Sequence, residues 1–433
     1  MGGGLLQLVA CGAQDAYLSG NPQITFWKGL FKRHTNFAME AFRINFSGQS
    51  SWGTKQSAII GRHADLLYST YLELVLPAKG TDGNTFSWNN DQARLGYNFL
   101  KYAELEIGGQ LIDRLYGEWM FLWDTLTSNT TQSIKLQSMV GGGQVPGAIT
   151  LPDNLSCIQG NGKSALPNVF YIPLSFFYTR NAGAALPLIA LQYHEVKINL
   201  LWNDAQHIAG DFTKVTKIPQ PTQAAIYVDY IYLDTEERRR MAQESHEYLI
   251  EQTQYNEDKG ISSYNNRIDL TFNHPVKELV WVVQPTSYNN CKMAGGATRL
   301  KPFTYDQAAV YKQFIQINGQ DRFDARYGDY CNKVQPFQHH TGTLGTTYLN
   351  SGVVTSVQQP GVYMYSFALK PEEHQPSGTC NFSRIDTATI ALEMSGAITI
   401  DEMNDNTWDI RVYAVNYNIL RIMSGMAGLA YSN

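Results

Sequence analysis

Three histidine-bearing pairs are the first places to look for chemistry in this 433-residue chain. His194-Glu195 and His246-Glu247 each begin like a zinc-peptidase helix, where two histidines one turn apart hold the metal and a glutamate activates water. Neither pair is followed by the second histidine four residues on, and both lie in strand-like text. Neither can set two ligands on one helix face. His339-His340 could open a cupin-type metal site, but that site needs two histidines one residue apart and a glutamate shortly afterwards, so the pair reads as loop histidines. There is no Gly-x-Ser-x-Gly elbow, Walker loop or clustered Cys/His set. The GGGQVPG stretch (141–147) does not open a helix as a phosphate cradle must.

Other candidates are equally bland. The five cysteines, Cys11, Cys157, Cys291, Cys331 and Cys380, are odd in number and widely spaced. That argues against a disulfide framework and for a reducing compartment, each thiol reading as a small buried hydrophobe. Sequons at Asn45, Asn129, Asn154 and Asn381 work only in the secretory pathway. Carboxylates are plentiful and a glycosidase pair need not be close in sequence. A carbohydrate-binding or carbohydrate-cleaving β-sandwich, with Trp-bearing loops such as SWNND (87–91), therefore stands as an alternative function. No catalytic, cofactor-binding or metal-ligating residue is singled out, and no cofactor is implied.

The elements that would position any site carry more information. IGGQLIDRLYGEW (107–119) and INGQDRFDARYGDY (317–330) are two copies of one phrase. With one residue inserted in the second copy, Gly109, Gln110, Asp113, Tyr116 and Gly117 recur as Gly319, Gln320, Asp324, Tyr327 and Gly328. The correspondence extends outward. Phe37, Met39 and Glu40 fall on Tyr248, Ile250 and Glu251, LLYSTYLELVLP (66–77) lies over HPVKELVWVVQP (274–285) at an offset of 208, and AIYVDYIYL (225–233) matches RVYAVNYNIL (411–420) at about 186. A register that drifts slowly, with gaps in Gly-rich text, marks tandem domains.

Composition agrees. Hydrophobic residues make up 43% and aromatics 12%, with 26 Tyr and 19 Phe, a mixture suited to pleated, half-buried surfaces. Short alternating runs separated by turn clusters, without βα alternation, predict sandwiches or jelly rolls. In the first half these are AFRINF, LLYSTYLELVL, KYAELEIGG, VFYIPLSFF, LIALQYHEVKINLLW and YVDYIYLD. In the second they are EYLIEQTQY, LTFNHPVKELVWVV, KQFIQINGQ, VYMYSFAL, TATIALEMSG and WDIRVYAVNYNILRIM. One helix is predicted in GEWMFLWDTLTS, with Trp119, Leu122, Trp123 and Leu126 on one face. Another, TEERRRMAQES (235–245), is supported by Glu236 to Arg240 and related pairs. The insert from His339 to Gly361 belongs at the surface.

The predicted division is an amino-terminal arm (1–25), a first sandwich (26–234), a linker helix (235–245) and a second sandwich (246–433). If QITFWKGLFKRH is helical from Pro22, then Ile24, Trp27, Leu30 and Phe31 share a face beside Lys28, Lys32 and Arg33. Such a face suits contact with a membrane or inner shell through Trp27, Lys28, Phe31, Lys32 and Arg33, or docking on the chain's own barrel. A net charge of −5 with dispersed basic residues argues against direct nucleic-acid binding. No apolar run approaches the length of a membrane span, and no basic region precedes the first short apolar stretch. A soluble chain made in the cytosol is expected. Leu6 stands where a myristoylation motif has Ser or Thr.

Five long blocks carry a family resemblance: GAQDAYLSGNPQITFWKGLFKRHTNFAME (12–40), FFYTRNAGAALPLIALQYHEVKI (176–198), YIYLDTEERRRMAQESHEYLIEQTQ (230–254), QPSGTCNFSRID (375–386) and VNYNILRIMSGMAGLAY (415–431). In order and from end to end, they resemble the major capsid protein of nucleocytoplasmic large DNA viruses, chlorovirus-type members in particular. The resemblance implies an all-β double jelly roll, two tandem eight-stranded antiparallel sandwiches with short helices in loops and linker. It implies a non-enzymatic shell protein that forms homotrimeric, pseudo-hexagonal capsomers tiling an icosahedral capsid. Implied partners are further copies, minor capsid and penton proteins and an internal membrane near the arm, with assembly in the host cytoplasm. Within these blocks Pro376-Ser377-Gly378 reads as a turn, with Arg384 and Asp386 available to tie neighbouring loops, and PLIALQYHEVKI as a buried strand.

Overall fold

A computed structural model describes residues 2–24, 26–27, 31–76, 95–140, 168–208, 220–289, 303, 305, 308–342, 347–350, 353–356, 360–395 and 407–431. The chain divides into two units, Met1–Phe37 and Ala38–Asn433.

In the first unit, Gly3–Val9 and Ala16–Ser19 are helical and bury no residue. The helix expected from Pro22 is not present among the described residues. Ile24, Trp27 and Phe31 are exposed, Trp27 by 90%, and a short helix without packing is marginal in water. Lys28 and Leu30 lie outside the described residues.

Among the described residues, sixteen strands make up the paths of four sheets. The first half contains β1 (Phe37–Asn45), β2 (Lys55–Ile60), β3 (Leu66–Leu76), β4 (Leu100–Ile107), β5 (Gln110–Tyr116), β6 (Asn168–Pro173), β7 (Val196–Trp202) and β8 (Gln223–Leu233). The second contains β9 (His246–Ile261), β10 (Asn265–Asp269), β11 (Pro275–Pro285), β12 (Val310–Ile317), β13 (Gln320–Asp321), β14 (Val362–Ser366), β15 (Ala388–Met394) and β16 (Trp408–Met423). The first half forms sheets β1-β8-β3-β6 and β2-β7-β4-β5, and the second β9-β16-β11-β14 and β10-β15-β12-β13. Adding eight to each label of the first pair of sheets generates the second pair. Strand pairs with a described register run antiparallel. This is the double jelly roll.

The repeated phrase has a structural cause. In the first copy, Gly108 and Gly109 take φ of 59° and 85°; in the second, Asn318 and Gly319 take 48° and 78°. These are two-residue hairpin turns that need positive φ at both central positions. A Cβ on Gly117 would lie 2.3 Å from the Leu100 carbonyl oxygen, and one on Gly328 would lie 2.4 Å from that of Val310. Both glycines therefore sit where the chain leaving the hairpin presses on the start of the preceding strand. The residue inserted in the second copy accompanies a broken strand: β13 stops at Asp321, and Arg326–Tyr327 pairs back to β12 separately.

Strand register moves one of the sequence matches. Tyr227 pairs with Tyr71 and Tyr413 with Val280, so Val280 is the counterpart of Tyr71, one residue beyond the match at 208. The equivalence holds on both sides of a bulge that the two sandwiches share, between Leu67 and Thr70 and between Val276 and Glu278. Leu67 pairs with Tyr230 as Val276 does with Asn416, and Thr70 with Val228 as Leu279 does with Ala414, so the same face of each strand points inward.

The two equivalent strands differ in burial. β3 alternates from Tyr71 to Leu76, with Leu72, Leu74 and Leu76 inward, whereas β11 is buried without interruption from Val276 to Pro285. Uninterrupted burial means that both faces of the second sheet are covered. Leu279, Trp281 and Val283 face the core of the second sandwich. Val280 and Val282 join a cluster that continues into the first.

Helix α1 (Gly117–Thr127) buries Trp119, Leu122 and Leu126 and half-buries Trp123, the predicted face. Helix α2 (Thr235–Gln243) follows Asp234, whose carboxylate accepts from Thr235 N at 2.8 Å. Its Arg240 pairs with Glu244, and its Arg238 reaches Asp65 at 3.0 Å; Glu236, the anticipated partner of Arg240, precedes it by a turn. PLIALQYHEVKI is strand at Pro187, which pairs with Leu66, and again from Val196; between them Leu188–Ala190 forms a tight helical turn.

Candidate functional site: the polar junction between the sandwiches

Helix α1 leaves the first sandwich and packs on the outer face of β16, within an apolar cluster that also takes in Val280 and Val282 of β11 and Val362 and Met364 of β14. Trp119 meets Tyr413 at 5.3 Å between ring centroids, Tyr116 meets Tyr255 at 4.6 Å, and Phe121 stacks on Phe303 at 5.4 Å. Within this apolar contact Glu118, in the first turn of α1, accepts from Arg411 Nε at 2.6 Å and Nη2 at 2.7 Å. Tyr413 donates to it at 2.5 Å, and Tyr305 donates as well. Arg411 Nη2 also donates to Gln284 Oε1 at 2.7 Å. Burial disfavours the charge on Arg411, but Glu118 outweighs it and raises the pKa well above its ordinary value. Burial first, and then Glu118, push Tyr305 and Tyr413 well up, so both remain O–H donors. A bidentate, fully partnered ion pair of this kind fixes orientation as well as contact.

A second ionic group lies at the other end of α1. Glu251 accepts from Lys277 at 2.7 Å and from Arg180 of the first sandwich at 2.8 Å. Trp123 lies beneath both cations, 4.5 Å from Arg180 and 5.6 Å from Lys277. Burial opposes ionisation of Glu251, but Lys277 and Arg180 prevail and hold its carboxyl below the ordinary value. His340 stands nearby, edge-on to Trp123, and bridges Glu278 at 2.9 Å and Glu372 at 3.0 Å. Burial alone would depress His340; the two glutamates reverse this and raise its pKa to about 9. Both ring nitrogens therefore donate to carboxylates.

Main-chain contacts complete the junction. Gln252 donates to the Ile112 carbonyl, Thr253 N to Asp113 at 3.2 Å, and Tyr193 N to the Gly425 carbonyl at 3.0 Å. Burial raises Asp113 to about 6, against the opposing pull of Arg180.

The sequence candidates fall into place around this frame. His194 Nδ1 accepts from Ala427 N at 3.1 Å, His246 Nε2 lies 2.7 Å from the Met241 carbonyl, and His339 Nδ1 lies 3.0 Å from that of Leu369. His339 closes the helical turn Gln335–His339, whereas His340 lies in the loop that follows, as read from the sequence, but with its side chain almost fully buried between two carboxylates and not at the surface. Among the described residues no cluster suits a metal ion. Cys331 is buried, whereas Cys11 is exposed and corrects the reading of every thiol as buried; Cys157 and Cys291 lie outside the described residues. Asn129 and Asn381 accept from main-chain N–H groups of Gln132 and Ser383 at 2.9 and 3.1 Å. Asn45 is exposed in β1, and Asn154 lies outside the described residues. Ser377 Oγ accepts from Lys370 N at 2.9 Å, and Asn318 Oδ1 ties down Asp386 N at 3.0 Å. Trp27, Phe31, Lys32 and Arg33 are exposed and separate from this junction in sequence. Sequence reasoning passed over Glu118, Arg411, Glu251 and Lys277; the signal available was charge inside apolar strands, as in VKELVWVV and WDIRVYAV.

Residues 25–234 match the family described as major capsid protein N-terminus, and residues 237–428 the family described as large eukaryotic DNA virus major capsid protein. The major capsid protein of Pyramimonas orientalis virus is 45% identical over 442 residues, covering 100% of both chains. That of Paramecium bursaria Chlorella virus 1 is 40% identical over 482 residues, again covering 100% of both. The solved structure of PBCV-1 VP54 is similar at a TM-score of 0.74 and 36% identity, covering 94% of this chain and 100% of that one. The Faustovirus major capsid protein shares the fold at a TM-score of 0.67 and 11% identity, over 95% of this chain and 94% of that one. Two sandwiches of one strand order, locked by a polar junction, agree with these likenesses, and the chain belongs to the major capsid protein family of large eukaryotic DNA viruses, structural proteins of the virion shell.

Proposed function

We propose that this chain assembles into homotrimeric capsomers of pseudo-hexagonal outline that pack with neighbouring capsomers into an icosahedral shell. The observation that carries this reading is the repeated strand order in two sandwiches joined by the Glu118–Arg411 junction. A rigid pair of like units gives a threefold ring six similar sides from one gene product. The working division is an arm (1–25), a first jelly roll (26–234), a linker helix (235–245) and a second jelly roll (246–433). Minor capsid and penton proteins would fill the gaps between capsomers, with synthesis and assembly in the host cytoplasm and no direct contact with nucleic acid. Exposure of Trp27, Phe31, Lys32 and Arg33, beside Lys28 in sequence, supports an arm that touches the internal membrane or inner shell.

Light scattering on purified protein tests the trimer, whose interfaces should bury more than about 2,000 Å². A monomer at micromolar concentration that forms no lattice when concentrated sinks the proposal. Flotation with anionic liposomes tests the arm; equal binding after deletion of residues 1–34 removes that role.

A further inference from the structure

The duplication leaves one half of a junction unused within the chain. Glu118 follows Gly117 in the first copy of the repeated phrase, and Asp329 follows Gly328 in the second. Glu118 is buried under Tyr413 and Arg411, but the Asp329 side chain is 69% exposed and pairs with Lys333. The helical segment after it, Tyr330–His339, presents Val334 and Phe337 to solvent, Phe337 by 87%.

The receiving face is also present twice. In the second sandwich it consists of Val280, Val282, Val362 and Tyr413, all in the cluster shared with α1. Cross-strand pairs Val280–Tyr413 and Val282–Val362 correspond to Tyr71–Tyr227 and Glu73–Tyr171 in the first sandwich. There Tyr71, Glu73 and Tyr227 are half-buried and Tyr171 is exposed. Tyr227 thus occupies the place of Tyr413, the residue that donates to Glu118.

We propose that the Asp329–His339 segment of one copy docks on the Tyr71, Tyr171 and Tyr227 face of the next copy's first sandwich. This contact repeats between chains what α1 does within one. Asp329 accepts from the Tyr227 hydroxyl, and Phe337 packs among the tyrosine rings. The proposal rests on the trimer reading and names the surfaces that close the ring. Composition fits the difference in setting. Arg411 corresponds to Ala225 and Gln284 to Val75, so the face that is open before assembly carries no guanidinium needing a buried partner. Tyrosine tolerates both water and an interface, which suits a surface exposed in the free chain.

Two full-length variants test it: a face variant, Tyr171→Arg with Tyr227→Arg, and a segment variant, Asp329→Arg with Phe337→Arg. Each should weaken self-association by about thirtyfold or more and give monomers by light scattering. Because the contact is head-to-tail, an equimolar mixture should yield dimers of one of each, as the intact segment of the face variant docks on the intact face of the segment variant. Formation of that dimer also shows that both variants are folded. If either variant alone remains trimeric, or if the mixture stays monomeric, the docking surfaces are wrong while the trimer stands. If the unmodified protein is itself monomeric, the trimer reading falls and this inference with it.

Discussion

Glu118 and Arg411 are 293 positions apart and meet through two hydrogen bonds, of 2.6 and 2.7 Å, inside the contact between the sandwiches. Tyr305, Tyr413 and Gln284 occupy the remaining polar positions around the pair. This relationship ties the two halves together, because the closed contact excludes water from both charges and leaves each to be stabilised by the other.

Removing one partner should therefore cost more than a surface ion pair does. Glu118→Ala leaves Arg411 buried without its carboxylate and should destabilise the chain by about 3–5 kcal/mol. Urea denaturation checks this; a loss below about 1 kcal/mol, the range of exposed pairs, would show that the junction is hydrated in solution.

His340 should give an alkaline loss of stability. Its folded pKa of about 9 lies above the ordinary value of 6.5, so its contribution is complete below about pH 6.5 and disappears as pH rises through 9. The loss should be on the order of 3 kcal/mol. Melting temperature between pH 7 and pH 10 should fall more steeply for the unmodified protein than for His340→Gln, and parallel curves would refute the assignment.

Asp113 should act in a lower window. Burial raises its folded pKa from 3.8 to about 6, so the folded form favours the proton. Stability from this group is complete below about pH 4 and is lost as pH rises through 6. Asp113→Asn keeps an oxygen for Thr253 N and Arg114 N and should stabilise by up to about 3 kcal/mol at pH 8, with no gain at pH 4. A gain independent of pH would point to packing.

Gly117→Ala and Gly328→Ala test the duplication at its closest approach. Each Cβ would press on a backbone carbonyl, and overpacking of this kind costs about 1–3 kcal/mol. Both variants should melt lower than the unmodified protein. If either is neutral, the strand start yields more readily than the repeated glycine implies.

Legibility followed the range of the signal. The face of α1 was readable because Trp119, Leu122 and Leu126 recur at helical spacing. The runs read as strands omit two equivalent pairs: β5 and β13, which lie just past the repeated hairpin turn, and β2 and β10. KQSAII and NNRID are short and polar, and their assignment comes from pairing with β7 and β15. The stretch from Pro22 has helical spacing, but its described residues, 22–24, 26–27 and 31–33, are not helical, and a short isolated helix is marginal in water.

The sequence by itself determined the duplication, the all-β character and the family, because repetition, alternation and turn chemistry are written along the chain. Only the tertiary structure decided that the second sheet is covered on both faces, that His340 is buried between two carboxylates, and that Glu118 found Arg411. Those outcomes depend on side chains brought together by strand pairing across hundreds of residues. Each strand records which of its side chains are apolar, but which partner covers a given face is settled only when the sandwiches pack.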